Sequence, residues 1–325
     1  MGKPKVAFYW CASCGGCEEA VVDLAEAILD VVGAVDIVLW PVALDFKLED
    51  VRALPDGAIA ASFINGSVRT SEQKEWVELL RRKSGLVVAF GSCAHIGGVP
   101  GLANLYDRAG IFERAYDLVP TADNPGRVRP QTSTKVAEGE LKLPEFFNTV
   151  RTLDQVIPVD YYLPGCAPPP DLILNAVQAI LAGKLPPKGS VLAPAKALCD
   201  TCPLKESKPE KMVVKEFKRI ATSALDPAVC YLAQGYVCLG PATRSGCGER
   251  CIKANMPCRG CFGPTPEVTD LGAKALGALA SIVDTKDPDE AARIMAMLPD
   301  PAGALYMYAL PSSLLQRKKM EAAHG

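Results

Sequence analysis

The chain has 325 residues, enough for two domains, and 49 % of them are apolar, so a sizeable core is available. A net charge of −2 excludes a strongly basic nucleic-acid or anionic-membrane surface as the main theme. No apolar run reaches the roughly 18 residues that a membrane span needs. The thirteen cysteines are the compositional outlier.

In chain order, Met1-Gly-Lys-Pro4 leads straight into an apolar run without a signal-peptide pattern, so a cytoplasmic protein with reduced thiols is expected. In that compartment cysteines read as metal ligands before disulfides. Lys5 to Trp10 predicts a buried strand. After the loop Cys11-Ala-Ser-Cys14-Gly-Gly-Cys17, apolar residues at Ala20, Val21, Leu24, Ala25, Ile28, Leu29 and Val32 predict one helix, with Glu18 and Glu19 in its first turn. Further strands are expected over Val35–Trp40, Ala58–Ile64, Leu86–Phe90 and Val159–Leu163. Ser71 is the expected cap of a helix to about Arg82, and Arg81-Arg82-Lys83 its solvated end. Another helix is expected over Asp171–Ala182. Thr121–Leu143 is polar and broken by Gly and Pro, a long surface loop or a partner-facing insertion.

Strands alternating with helices predict an α/β fold with a mostly parallel sheet covered on both faces. Functional groups in such sheets collect beyond the carboxyl ends of the strands. Cys14/Cys17, Cys93 and Cys166 each follow a predicted strand, which would bring four thiols distant in sequence to one rim. A lone Cys93 or Cys166 would read as a small buried hydrophobe; their common placement argues for a site.

The stretch from Cys199 to Cys261 is different. It holds Cys199, Cys202, Cys230, Cys238, Cys247, Cys251, Cys258 and Cys261, and Gly and Pro interrupt every apolar period. Such a segment cannot offset its ordering entropy with a core, so bound metal must fold it. The Cys-x-x-Cys pairs at 199/202 and 258/261 suit either a zinc ribbon or iron–sulfur clusters. The irregular gaps between the remaining ligand candidates favour iron and sulfur. Helices are expected over Val268–Val283 and Pro288–Met297. Thirteen thiols make three sets of four and one over, with Cys11, Cys14 and Cys17 competing for two places in the first set.

The chain resembles, over almost its whole length, the small subunit of nickel–iron hydrogenases. It is most similar to the gamma subunit of the cytoplasmic viologen-reducing type that feeds heterodisulfide reductase. The residues that carry the resemblance are Cys14-Gly-Gly-Cys17-Glu, Gly91-Ser-Cys93-Ala-His-Ile-Gly-Gly-Val-Pro-Gly101 and Leu163-Pro-Gly-Cys166-Ala-Pro-Pro in the first half. In the second half they are Leu198-Cys-Asp-Thr-Cys202-Pro-Leu, Cys238-Leu-Gly-Pro-Ala-Thr-Arg-Ser-Gly-Cys247-Gly and Pro257-Cys-Arg-Gly-Cys261-Phe-Gly-Pro.

The resemblance implies a flavodoxin-like domain over residues 1–190 and a C-terminal, irregular cluster domain with a few helices over residues 191–325. It implies three 4Fe-4S clusters: proximal on Cys14, Cys17, Cys93 and Cys166, distal on Cys199, Cys202, Cys230 and Cys238, medial on Cys247, Cys251, Cys258 and Cys261. Cys11 is then spare. In many relatives a His stands where this chain has Cys199, and a Pro stands at Cys251 where the medial centre is 3Fe-4S. The implied partners are a hydrogenase large subunit, which holds the nickel–iron site, and an iron–sulfur or flavoprotein acceptor of the heterodisulfide reductase kind. Of the two histidines, His95 is expected as a donor behind Cys93 rather than as a base. The alternative is a cluster-bearing relay in a reductase complex without a hydrogenase large subunit. A subunit of the quinone-reducing complex I type shares the first domain, but it carries two adjacent cysteines near the first strand and no Cys199–Cys261 domain.

A four-iron cube takes one thiolate per iron. Cys251→Pro should therefore shed one iron and give a 3Fe-4S signal in the electron paramagnetic resonance spectrum of the oxidised protein. An unchanged spectrum at full iron content would make Cys251 a bystander.

Overall fold

The structure is a computed structural model that describes residues 2–298 and 300–317. Nine strands form among the described residues: β1 (Lys5–Trp10), β2 (Asp36–Leu39), β3 (Ile59–Asn65), β4 (Val68–Thr70), β5 (Ser84–Phe90), β6 (Ser133–Val136), β7 (Gly139–Lys142), β8 (Phe146–Arg151) and β9 (Tyr161–Leu163). Five of them make a parallel sheet in the order β2-β1-β3-β5-β9. This is the doubly wound order of flavodoxins, in which the chain leaves β1 in one direction and then returns to its other side.

Alternation along the strands loads both faces. Val6, Phe8, Phe63, Val88 and Phe90 pack on one face beneath α1 (Gly16–Val22), α2 (Ala27–Ala34) and α7 (Pro170–Leu181). Ala7, Tyr9, Ile64, Val87 and Ala89 pack on the other, beneath α3 (Leu48–Ala53) and α4 (Ser71–Lys83). Phe8 stacks on Phe63 at 5.2 Å, and Tyr9 on Trp76 at 5.0 Å.

Four local expectations are corrected. The helix after Cys17 is broken into α1 and α2, because Ala25 takes a left-handed φ of 51° that no helix continues through. Thr70, not Ser71, caps α4: its hydroxyl accepts from the Gln73 amide at 3.3 Å, while the Ser71 hydroxyl accepts from the Glu145 amide at 2.9 Å. Arg81 and Lys83 are not solvated. Arg81 donates to Asp160 at 2.6 Å and to the Ser84 carbonyl at 2.8 Å, and Lys83 donates to the Leu54 carbonyl at 2.6 Å. Within the polar stretch, which is exposed as expected but not a plain loop, β6 and β7 pair as a hairpin, and just after it β8 pairs with β4.

α5 (Ser92–Ile96) and α6 (Arg108–Phe112) complete the first half. Past Val191, which bridges to Tyr162 at the sheet edge, regular structure fades. α8 (Leu198–Thr201) and α9 (Arg250–Lys253) are single turns, and between them the only helical element is a 3-10 turn at Lys205–Ser207. The apolar core of this half comes later. α10 (Leu271–Ala280), α11 (Pro288–Met295) and α12 (Pro301–Tyr306) supply Leu271, Ala275, Leu279, Ile294 and Leu305, which pack with Leu239 and with Ile96 of α5. No helix among the described residues is long and apolar enough to cross a membrane.

Asp160 ties the end of the sheet together. Its carboxylate takes Arg81 and Lys188, both at 2.6 Å, and the Val87 amide at 2.8 Å. Burial pushes its pKa up, but the bonds from Lys188, Arg81 and Val87 outweigh burial and hold it below the usual value. A depressed carboxylate stabilises the fold above its unfolded pKa, about 3.9, and that contribution is lost as pH falls through the folded value. Asp160→Asn should cost about 2 kcal/mol by urea unfolding at neutral pH, below the figure for a fully buried pair because Lys188 is largely exposed. The difference from the parent should shrink as pH drops through the carboxylate range; a gap independent of pH would remove the ionic account.

Candidate metal centres

The first group of thiols lies at the carboxyl rim of the sheet. The loop after β1 is held to the turn after β3 by two backbone bonds, Ala12 N–H to Ser67 at 2.9 Å and Ser67 N–H to Ala12 at 3.0 Å. That approach requires Gly66, at φ 85°, where a Cβ would stand 2.7 Å from the Cys11 carbonyl carbon. Cys17 lies in the first turn of α1, and the Gly16 amide donates to the Cys14 sulfur at 3.4 Å. Cys93 lies in α5, whose start is pinned to the loop after β9 by Ser92 N–H to Gly165 at 2.7 Å. Cys166 follows in that loop.

The four thiols are neighbours. Burial raises the pKa of Cys17, and Cys93, Cys166 and Cys14 raise it further. Burial likewise pushes Cys93 up to about 12, helped by Cys166 and Cys14. Cys17 and Cys93 are buried while Cys14 and Cys166 are exposed, so the site opens to the surface on one side. Two glycines make room for the sulfurs. A Cβ on Gly91 would stand 2.4 Å from the Cys17 sulfur, and one on Gly98 2.3 Å from the Cys93 sulfur. Cys11 is elsewhere, packed with Tyr9, Ile64, Val68 and Leu79 in the sheet core, and burial alone raises its pKa.

In the C-terminal half, Cys199, Cys202, Cys230 and Cys238 line one cavity together with Leu198, Tyr231 and Ile252. Gly240 leaves space between two of these sulfurs: its Cβ would be 3.3 Å from Cys199 and 3.5 Å from Cys238. Burial first, and then Cys238, push Cys199 up to about 12, with Lys208 opposing and Cys202 and Cys230 adding. Cys247, Cys251 and Cys261 form a further group. Cys261 is pushed up to about 12 by burial and then by Cys251, Cys166 and Cys247. Cys258 is raised well above its ordinary value by burial, then by Cys238 and Cys261.

The groups influence one another electrostatically: Cys166 acts on Cys261, and Cys238 acts on Cys258. The Leu239 amide, next to Cys238, donates to the Cys258 carbonyl at 2.9 Å. Ser92, beside Cys93, donates from its hydroxyl to the Cys261 carbonyl at 2.5 Å.

Among the described residues, no three cysteine, histidine or carboxylate side chains converge as closely as one ion requires. Zinc would draw four sulfurs to about 2.3 Å from a single centre. A four-iron cluster instead presents one iron to each thiolate and keeps the sulfurs apart. Donor sets made only of soft thiols, with glycine cradles around the sulfurs, fit iron–sulfur clusters.

Three nearby side chains read differently from the sequence. Glu18 does lie in the first turn of α1, and it is also buried: Trp40 Nε1 donates to it, as does Asn65 Nδ2 at 2.5 Å. Burial, opposed by these two bonds, raises its pKa. His95 turns toward Tyr162, with ring centroids 4.8 Å apart, and toward Gly263; its Nδ1 has no partner. Burial and then Arg244 hold its pKa to about 3, so the ring is neutral. His324 lies outside the described residues. Tyr308, which no sequence pattern singled out, has its phenol pKa pushed up by burial and then by Cys166 and Cys261.

Comparison with known proteins decides the kinship. The chain is 42 % identical over 318 residues to the iron–sulfur subunit of the F420-non-reducing hydrogenase of Archaeoglobus profundus, covering 97 % of this chain and 98 % of the relative. It belongs to the family of these hydrogenase iron–sulfur subunits. The corresponding F420-non-reducing hydrogenase subunit of Methanothermobacter thermautotrophicus is 35 % identical over 322 residues, with 97 % of each chain covered. Residues 14–180 also match the family described as NADH ubiquinone oxidoreductase, 20 Kd subunit, so the hydrogenase family shares its sheet half with that wider family. The solved NiFeSe hydrogenase from Desulfovibrio vulgaris Hildenborough matches with a TM-score of 0.53 at 17 % identity, covering 81 % of this chain and 94 % of that one. That match speaks for the fold.

Cys11→Ala and Cys14→Ala both alter the loop after β1. Cys14→Ala should lose one cluster's worth of iron and sulfide from the purified protein, whereas Cys11→Ala should keep full content at a modest packing cost. The reverse pattern would overturn the choice of Cys14 over Cys11.

Proposed function

We propose that this chain is the electron-transfer subunit of a hydrogenase complex, carrying electrons through three 4Fe-4S clusters between a nickel–iron large subunit and a downstream acceptor. The observation that supports this reading is the gathering of the thiols, with Cys14, Cys17, Cys93 and Cys166 on the loops at one rim of the sheet and Cys199, Cys202, Cys230 and Cys238 lining one cavity; Cys247, Cys251, Cys258 and Cys261 would form the set between them. The first set belongs to residues 1–190 and the other two to residues 191–325. The relatives' names, which specify a hydrogenase that does not reduce F420, support the same assignment.

When bound, each cluster supplies a site that takes up and releases one electron. The protein's own contribution is placement and exclusion. The sheet rim holds Cys14 and Cys166 at the exposed side of the first set, where the large subunit would sit. Leu198, Tyr231 and Ile252 keep water from the cavity of the third set. At its rim, Cys202 and Cys230 lie among Lys205, Glu206 and Lys208, a charged entrance for an acceptor of the heterodisulfide reductase kind. In this reading twelve of the thirteen cysteines hold clusters, and His95 is buried and neutral, so the hydrogen chemistry falls to the large subunit.

Co-purification with the large subunit tests the proposal. The complex should reduce viologen with hydrogen, and the isolated subunit should be inert. A preparation with intact clusters that never retains a nickel–iron subunit would favour the reductase-relay alternative.

A further inference from the structure

A single serine ties cysteine-bearing loops of both halves together. Ser92 opens α5 with Cys93 as its chain neighbour, and only 1 % of it is exposed. Its amide donates to the Gly165 carbonyl at 2.7 Å, one residue before Cys166. Its hydroxyl donates to the Cys261 carbonyl at 2.5 Å, across a sequence separation of 169 residues. The amide and hydroxyl of one residue thus join the loop of Cys166 and the turn of Cys261 to the start of α5.

The turn that carries Cys261 depends on this contact. Its other carbonyls are held from within the C-terminal half. The Cys258 carbonyl accepts from the Leu239 amide at 2.9 Å, the Gly260 carbonyl from the Gly263 amide at 3.0 Å, and the Gly263 carbonyl from the Arg244 amide at 2.8 Å. The Cys261 carbonyl is the exception: among the described residues its donor is the Ser92 hydroxyl. The turn also lies on α5 through Gly263, at φ 76°, where a Cβ would stand 3.4 Å from His95 Cε1 and 3.7 Å from Ile96 Cδ1. Apolar contact of that kind has no direction and lets one surface slide on the other. A hydrogen bond has direction, and among the described residues Ser92 supplies the one between α5 and this turn.

We propose that Ser92 is a positioning residue for electron passage: its hydroxyl holds Cys261 against the loop of Cys93 and so sets the spacing of the first and second clusters. The proposal rests on the cluster reading above, with Cys93 and Cys261 as ligands of neighbouring clusters. Electron exchange between two centres falls steeply with their separation, so the bond acts on the rate between them. It touches none of the sulfurs, so iron retention does not depend on it. A buried carbonyl that loses its donor moves toward another partner, and in this turn the move carries Cys261 with it.

The test compares the parent with Ser92→Ala, each purified with the large subunit. The substitution removes one oxygen and keeps the amide that bonds Gly165. Iron and sulfide content and the cluster midpoints should match the parent. The magnetic splitting between the first and second clusters, read by electron paramagnetic resonance of the reduced protein, should weaken. After mixing with hydrogen and rapid freezing, the second cluster should become reduced several-fold more slowly, with the first reduced at the parent rate. An unchanged splitting or an unchanged rate would overturn the proposal. Loss of iron from either site would also overturn it, by making Ser92 a residue of cluster retention. Full iron content in a Cys261→Ala protein would instead defeat the reading of Cys261 as a ligand, a result separate from anything Ser92→Ala shows.

Discussion

Thiols gathered in fours and partly buried resist ionising together, because each thiolate would face its like charges with little solvent to screen them. Cys17, Cys93, Cys199, Cys258 and Cys261 are all pushed upward by burial first and then by neighbouring thiols. A cationic centre that took the place of the protons would remove that conflict and couple metal loading to completion of the fold. The dependence is strongest where regular structure is weakest, between Cys202 and Glu249, where only one 3-10 turn interrupts the loops. The sheet half would keep its aromatic core of Phe8, Phe63 and Phe90 in any case. The loops around Cys230 and Cys238 bury Tyr231, Leu232, Tyr236 and Leu239 but carry no regular element to hold them.

The parallel sheet serves this constraint through geometry alone. Strands β1, β5 and β9 end on the same side, so three loops far apart in sequence deliver Cys14/Cys17, Cys93 and Cys166 to one rim. Glycines at 66, 91 and 98 let those loops approach more closely than side chains would permit. The C-terminal half then packs beside this rim, where Ser92 donates to the Cys261 carbonyl and the stretch around Tyr308 and Pro311 accepts from Gly98 and Gln155. One junction therefore aligns the thiol groups and joins the two halves.

Much of this was legible in the sequence, for physical reasons. Lys5–Trp10 is a dense apolar run that can only be a buried strand, and β1 has those same ends. A cysteine directly after each of three such runs predicts a shared rim, because a parallel sheet leaves its strand ends together. The break at Ala25 was not legible, since Ala favours the helix it interrupts. The buried role of Glu18 was hidden because Trp40 and Asn65, its partners, are distant in sequence. The return of residues 301–317 was invisible for a similar reason. It is held by backbone bonds and by Pro311 on two glycines, contacts that leave no period or motif.

The central claim is that three iron–sulfur clusters stand in the order rim, junction, cavity. Anomalous diffraction at the iron edge, on crystals of the protein with its large subunit, tests it most directly. The account predicts three iron centres in this chain: one among Cys14, Cys17, Cys93 and Cys166, one among Cys247, Cys251, Cys258 and Cys261, and one among Cys199, Cys202, Cys230 and Cys238. Iron at fewer than three of these positions, or a zinc-edge signal at any of them, would contradict it.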